Sequence, residues 1–269
     1  MDKSTILGLI LGFGAMVGMV VIEGGELQGL LNTAAAVVVF GGTFGALLVS
    51  FPLADVATLP KLLGKTFGAE IKPPVERLGL YVGLAEKARR EGLLALESDT
   101  EEIADRFARK GLMMVVDGID PEVVRGILEK DLHMLDRRHQ RGIQMLEAMG
   151  GFSPTMGILG TVMGLVHVLG SLSEPAALGE SIAAAFVATL YGVASANLIW
   201  LPMGNKLKAK SRAELEGHRL TLDAVLSIQA GENPRILRDR LEVHLAPGHR
   251  AAKEKPEPVK QAEPEPVAA

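Results

Sequence analysis

The chain has 269 residues, 48% hydrophobic but only 4% aromatic, with a formal net charge of −4. Its apolar content is gathered into blocks, the signature of a membrane protein rather than of a soluble globule. It has no cysteine, which excludes disulfides and thiolate metal sites and leaves the redox compartment open.

A hydrocarbon core about 30 Å thick needs about 20 apolar residues of helix, and four stretches reach that length: residues 4–22, 30–51, 152–172 and 181–203. The first resembles a signal peptide in position only. It is long, studded with glycine and followed by Glu23-Gly24-Gly25-Glu26 in place of a small-x-small cleavage site, so it reads as a membrane span. Residues 52–151 form a polar insert with helical patterning. Pro73-Pro74 opens one of its segments, and Asp120-Pro121 combines an N-cap acceptor with a proline at the first helical position. The helix begun there meets no breaker before Gly150-Gly151, so it is expected to run on towards the third span. Residues 204–245 form a further helical segment, and residues 246–269, with Lys-Pro-Glu-Pro and Glu-Pro-Glu-Pro, are expected to be disordered. The fold class is therefore all-α: a polytopic membrane protein with four transmembrane helices and a helical cytoplasmic domain between helices 2 and 3.

Charge sets the orientation. The short connections between spans 1 and 2 and between spans 3 and 4 carry Glu23, Glu26, Glu174 and Glu180 but no Lys or Arg, whereas the insert is rich in both and span 4 leads into Lys206, Lys208, Lys210 and Arg212. The positive-inside rule then puts both termini and the insert in the cytoplasm of a multi-pass inner-membrane protein.

Every span carries small residues at helical spacing: Gly8, Gly12, Gly14 and Gly18; Gly41, Gly42 and Gly45; Gly157, Gly160 and Gly164; Ala184, Ala188, Gly192 and Ala196. Such residues let helices approach closely in lipid. A monomeric bundle explains part of this pattern; packing against further chains explains more of it. The intramembrane polar residues are Thr43, Thr155, Thr161, His167, Thr189, Ser195 and Asn197. Taken singly, a hydroxyl of this kind more often bonds the carbonyl one turn back than it touches a permeant ion. None of the four spans contains Asp, Glu, Lys or Arg. An ion pathway through the bundle needs an acid, so that acid must come from another polypeptide, with Thr161 and Thr189 lining the route. Pro154 near the start of the third span and Pro202 at the end of the fourth fall at matching depth, and Pro202 deprives the carbonyl of Leu198 of its helical donor. The pair reads as a hinge between the channel and the insert.

From FSPTMGILGTVMGLVHVLGSL through LGESIAAAFVATLYGVASANLIWLPMGNKLK, with its Pro-x-x-Gly, Gly-Thr-Val-Met-Gly and Ala-Thr-Leu-Tyr-Gly pieces, the chain resembles the MotA family, including its sodium-linked PomA branch, over about residues 1–245. The resemblance implies a flagellar motor stator subunit. Its homopentameric ring surrounds MotB-like subunits bearing a transmembrane Asp and a peptidoglycan-binding domain, and converts an ion gradient into torque on the rotor switch protein FliG. It implies rotor-contact roles for Arg89 or its neighbour Arg90 and for Glu97. It also implies coupling roles for Pro154 and Pro202, and ion-pathway roles for Thr161 and Thr189. Thr161 favours sodium and the flanking Val162-Met163-Gly164-Leu165-Val166-His167 favours protons; protons are preferred. No cofactor is implied beyond the transported H+ or Na+, and no nucleic acid. The nearest rival, an ExbB/TolQ-like energiser of outer-membrane processes, has a three-span plan. An enzyme is not expected: Gly64-Lys65-Thr66 lacks the first phosphate-loop glycine, with Leu59 in its place, and no HExxH, GxSxG or GxGxxG occurs. A passive scaffold would share the packing glycines but not the threonine pair and edge prolines.

Overall fold

In the computed structural model, residues 2–68, 75–170 and 175–244 are described, and among them there is no strand. The helices in chain order are α1 (Lys3–Ile22), α2 (Thr33–Ala36), α3 (Gly42–Ser50), α4 (Leu53–Val56), α5 (Leu59–Thr66), α6 (Val75–Glu91), α7 (Glu97–Glu102), α8 (Arg106–Val116), α9 (Pro121–Gly170), α10 (Pro175–Ser195), α11 (Leu201–Gln229) and α12 (Pro234–Glu242). Single π turns, Val37–Gly41 and Ala196–Trp200, join α2 to α3 and α10 to α11. Four helical stretches are long and apolar enough to cross a membrane: Lys3–Ile22, Leu27–Ser50, Pro121–Gly170 and Ser181–Gln229. The chain is thus an all-α membrane protein. Pro73-Pro74, residues 171–174 of the span 3–4 connection and the expected disordered tail lie outside the described residues.

Local chemistry accounts for the helix starts. Asp2 and Asn32 cap the first two spans by accepting from the amides of Ser4 and Ala35. Asp120 accepts from the amide of Glu122 at 2.9 Å, and Pro121 opens α9. That helix then runs 50 residues without a break, through Gly150, Gly151 and Pro154. A proline removes one backbone bond and crowds the turn before it, but Gly150, the residue four back, has no side chain to add to the crowding.

The described residues form two bodies, the first from residues 2–68 and His133–Arg212 and the second from residues 75–132 and 213–244. The first holds the apolar spans. One of its cores gathers Leu47, Ile143, Leu146, Met149, Trp200 and Leu207; a smaller one gathers Ala35, Val39, Val187 and Ala188. Beneath the first span, the Asp2 amide donates to the carbonyl of Phe67 and its carboxylate pairs with Lys206, while the Lys210 ammonium donates to the carbonyls of Lys65 and Gly68 at 2.9 and 2.8 Å. Gly64-Lys65-Thr66 is therefore the end of α5, clasped by a lysine, and not a phosphate loop. The second body has its own core, with Leu78, Tyr81, Leu112, Leu128, Leu220 and Leu237 at its centre.

Candidate functional site

The third and fourth spans cross where α9 and α10 meet, and glycine makes the crossing close. A Cβ on Gly192 would stand 2.5 Å from the carbonyl oxygen of Ser153 and 3.0 Å from the Cα of Gly157. One on Gly157 would stand 2.8 Å from the carbonyl oxygen of Ala188 and 3.1 Å from the Cα of Thr189. Further along, Gly160 and Gly164 abut the Cβ atoms of Ala188 and Ala185. No side chain fits at either of the first two positions, so backbone touches backbone.

That approach brings two sequence-predicted residues together. The hydroxyls of Thr161 and Thr189 lie 2.5 Å apart. Thr161 Oγ1 also lies 3.1 Å from the carbonyl of Gly157 on its own helix and 3.0 Å from that of Ala185 across the crossing. With its single proton directed to those carbonyls, the oxygen of Thr161 accepts from Thr189, and the cluster is internally satisfied. Both residues are half-buried. Most of the other span hydroxyls take the plainer role: Thr155 donates to the carbonyl of Phe152, Ser195 to Gly192, and the Asn197 amide to Val193. His167 is exposed.

Pro154 and Pro202 stand on different helices, and the structure links their neighbourhoods. Pro154 leaves the carbonyl of Gly150 without its usual donor, and the face of Gly150 is filled by the Leu201 side chain, next to Pro202. The turn before Pro202 is a π turn, with the Leu201 amide donating to the carbonyl of Ala196. Such turns recur where a membrane helix must tolerate a missing bond.

Three contacts went unrecognised in the sequence. Ser153 and Thr43 are both fully buried, with hydroxyls 3.2 Å apart, tying the second span to the turn at Pro154; Thr43 also donates to the carbonyl of Val39, inside the π turn. Tyr191 donates to the carbonyl of Leu30 at 2.5 Å and accepts from the amide of Asn32 at 3.2 Å, fixing the start of the second span against the fourth. Asp2 binds Lys206 and the Ser4 hydroxyl, and these bonds hold its carboxyl well below the usual carboxylate range. Tyr191 lies within a motif noted for its pattern, but all three sites pair residues far apart in the chain.

The remaining predicted residues belong to the second body. Arg89 and Arg90 sit exposed in the last turn of α6; Gly92, at φ 88°, turns the chain there, and Glu97 opens α7, also exposed. Arg89 and Arg90 line one cleft, and Glu97 is not part of its wall. In the same body Lys87 is held to Asp99 at 2.6 Å, which raises the lysine's pKa. Among the described residues there is no His, Cys, Asp and Glu grouping that could hold a metal ion.

Residues 99–219 match the MotA/TolQ/ExbB proton channel family. The chain is 36% identical over 246 residues to Motility protein A of Bacillus subtilis, covering 91% of each chain, and 37% identical over 251 residues to the Chemotaxis protein PomA of Vibrio alginolyticus, covering 93% of this chain and 98% of that one. Among solved structures, the flagellar MotAB stator complex from Bacillus subtilis matches at a TM-score of 0.88 with 34% identity, covering 93% of this chain and 99% of that chain. At these identities and coverages, the chain belongs to the MotA/PomA motility protein family, within the MotA/TolQ/ExbB proton channel family.

Proposed function

We propose that the chain is the channel-forming subunit of a flagellar motor stator. Five copies ring MotB-like subunits, each contributing a transmembrane aspartate and a peptidoglycan-binding domain. Ions passing that aspartate turn the ring against the rotor switch protein FliG. The observation that carries this reading is the Thr161–Thr189 hydroxyl pair, set in a glycine crossing of spans that contain no acid of their own. Each unit charge falling through 100 mV releases about 2.3 kcal/mol, so a working step draws on several ions.

In this reading the chain is a multi-pass protein of the inner membrane, with both termini and the insert in the cytoplasm. Arg89, Arg90 and Glu97 meet the rotor; Pro154 and Pro202 are the flexing points through which the state of the ion site reaches the insert. The freed carbonyl beside Leu201 and the π turn before Pro202 support that role. No cofactor or enzymatic step enters.

Protons are the coupling ion on this account. The Thr161 hydroxyl is already satisfied by Thr189 and two carbonyls, and a sodium ion would have to break those bonds to use its oxygen. Sodium is the second reading, favoured by the oxygens of Gly157, Ala185 and Thr189, all within 3.1 Å of Thr161 Oγ1. The test is swimming speed in a stator-less host supplied with the chain and a MotB-like partner, measured against external sodium at fixed pH. Indifference to sodium with collapse under a protonophore supports protons. Speed that rises with sodium and survives the protonophore establishes the second reading.

A further inference from the structure

We propose that the cleft between α1 and the turn at Pro202 is a phospholipid site, with an acyl chain along its apolar wall and the phosphate at the ammonium of Lys206. The two helices are joined at both ends of this cleft and part between them. At the deep end, a Cβ on Gly12 would stand 2.8 Å from Cδ2 of Leu198. At the polar end, Lys206 pairs with Asp2 and donates to the Ser4 hydroxyl at 3.2 Å. One helical turn before Gly12, a Cβ on Gly8 meets nothing within 4 Å. Leu9, Leu198, Pro202 and Met203 form the apolar wall around a volume of about 330 Å³, and Ser4, Thr5 and Lys206 form its polar end.

That polarity is the polarity of a lipid. The polar end lies where the first span begins and the fourth ends, and basic pockets between membrane helices at this depth suit phospholipid head groups. In the orientation set by charge, it faces the cytoplasmic leaflet. A lysine has three N–H donors; among the described residues Asp2 and Ser4 take two of them, which leaves one for a phosphate oxygen. Lys3, exposed, adds a second cation beside Asp2 in the chain. Asn197, on the deeper part of the wall, commits its amide to the carbonyl of Val193 at 2.9 Å. A cleft of similar volume, about 320 Å³, opens on Asn32, His167 and Ser181 at the other end of the spans, but its wall contains no Lys or Arg.

Volume decides between occupants. A helix about 10–12 Å across that rises 5.4 Å per turn displaces roughly 400–600 Å³ with each turn. The cleft cannot seat even one turn of a helix from a second copy, whereas a chain one methylene wide enters it. No residue of α1 from Lys3 to Ile22 is buried, and Leu7, Ile10 and Leu11 are exposed beside the cleft, so α1 is a helix made to stand among acyl chains. In that setting a gap between helices forfeits its dispersion contacts unless an acyl chain supplies them. Pro202 is part of the wall, so the lipid borders the turn read above as a flexing point.

The test uses the full chain in complex with its MotB-like partner, purified in mild detergent and stripped of bulk lipid. The complex is reloaded with dioleoyl phosphatidylglycerol or with dioleoylglycerol, which has the same chains and no phosphate. Native mass spectrometry then reads retained lipid and assembly state together. The expected result is a phosphatidylglycerol retained on each chain and several-fold less dioleoylglycerol. Gly8→Phe, whose ring fills the cleft, should lose most of the retained lipid with assembly intact. Gly14→Phe, on the same helix with open space beside it but outside the cleft wall, should keep it. Gly8→Leu is read in the same way where the larger side chain lowers membrane level. Full retention by an assembled Gly8 variant, equal loss from Gly14→Phe, or no retention by the parent chain overturns the site. Equal retention of the two lipids overturns the role of Lys206. Loss of assembly or level in both Gly8 variants assigns the cleft to a side chain of a second copy and overturns the proposal.

Discussion

Gly192→Ala puts one methyl group into the closest backbone approach among the described glycines of the membrane body. The added Cβ would meet the carbonyl oxygen of Ser153 at 2.5 Å and the Cα of Gly157 at 3.0 Å, where ordinary contact begins at 3.4 Å. Both obstacles are backbone and cannot rotate away, so α9 and α10 must part by about 0.5–1 Å, at an overpacking cost of about 1–3 kcal/mol. The same parting stretches the Thr161–Thr189 bond from 2.5 Å to roughly 3–3.5 Å, the limit of a useful hydroxyl hydrogen bond. Interhelical bonds of this kind average only about 0.6 kcal/mol, so overpacking dominates and the hydroxyl geometry fails as its consequence. If the whole cost falls on the ion-coupled step, it slows about five- to 150-fold. The assay is swimming speed and tethered-bead torque in a stator-less host carrying the variant and a MotB-like partner, with membrane level measured alongside. Gly14→Ala is the control, because a Cβ there meets nothing within 4 Å in the chain. Parental torque from Gly192→Ala at parental membrane level would refute the claim that this crossing sets the ion site.

Pro154→Ala and Pro202→Ala should each restore a helical donor, stiffen the turn and lower torque without lowering membrane level; parental torque from both would remove the hinge. In the second body the Tyr81 and Thr221 hydroxyls lie 2.8 Å apart, and Thr221 keeps a bond to the carbonyl of Gly217. Tyr81→Phe should therefore cost about 1 kcal/mol in thermal or denaturant unfolding, whereas Thr221→Val, which leaves the buried phenol unpaired, should cost about 1–3 kcal/mol. Burial pushes the Tyr81 phenol up to about 12 from 10.0. The folded state therefore holds that proton more tightly than the unfolded chain, and stability present below pH 10 should be lost as pH rises towards 12, a slope that Tyr81→Phe removes. Asp2 has the opposite sign. Its carboxyl is held below 3.8 by Lys206 and Ser4, so its stabilisation is present above that pH and lost as pH falls below it. Asp2→Asn should flatten that acid limb in unfolding curves, and an unchanged limb would mean the Lys206 pair contributes nothing.

The parts of this fold that are legible in the sequence are those governed by local pattern. Twenty apolar residues without a charge declare a span whatever they pack against, and Asp120-Pro121 declares a helix start because cap and proline act within one turn. Thr161 and Thr189 were nameable because each lies in a recognisable string. That they bond each other was not, since it depends on Gly157 and Gly192 meeting, and glycine at helical spacing predicts close packing without naming the partner. The same limit hid Thr43 with Ser153, and Asp2 with Lys206, pairs separated by more than a hundred residues. The π turns were also unreadable, because an extra residue in one turn leaves the hydrophobic pattern almost unchanged over so short a stretch.

The central claim is that this chain supplies the pathway while another polypeptide supplies the acid. Ion conduction and swimming should be measured in a stator-less host given the chain alone, the chain with a MotB-like partner, and the chain with that partner carrying Asp→Asn in its transmembrane helix. The account predicts conduction and swimming only with the intact partner. Conduction by the chain alone, or swimming with the Asn-bearing partner, would contradict it.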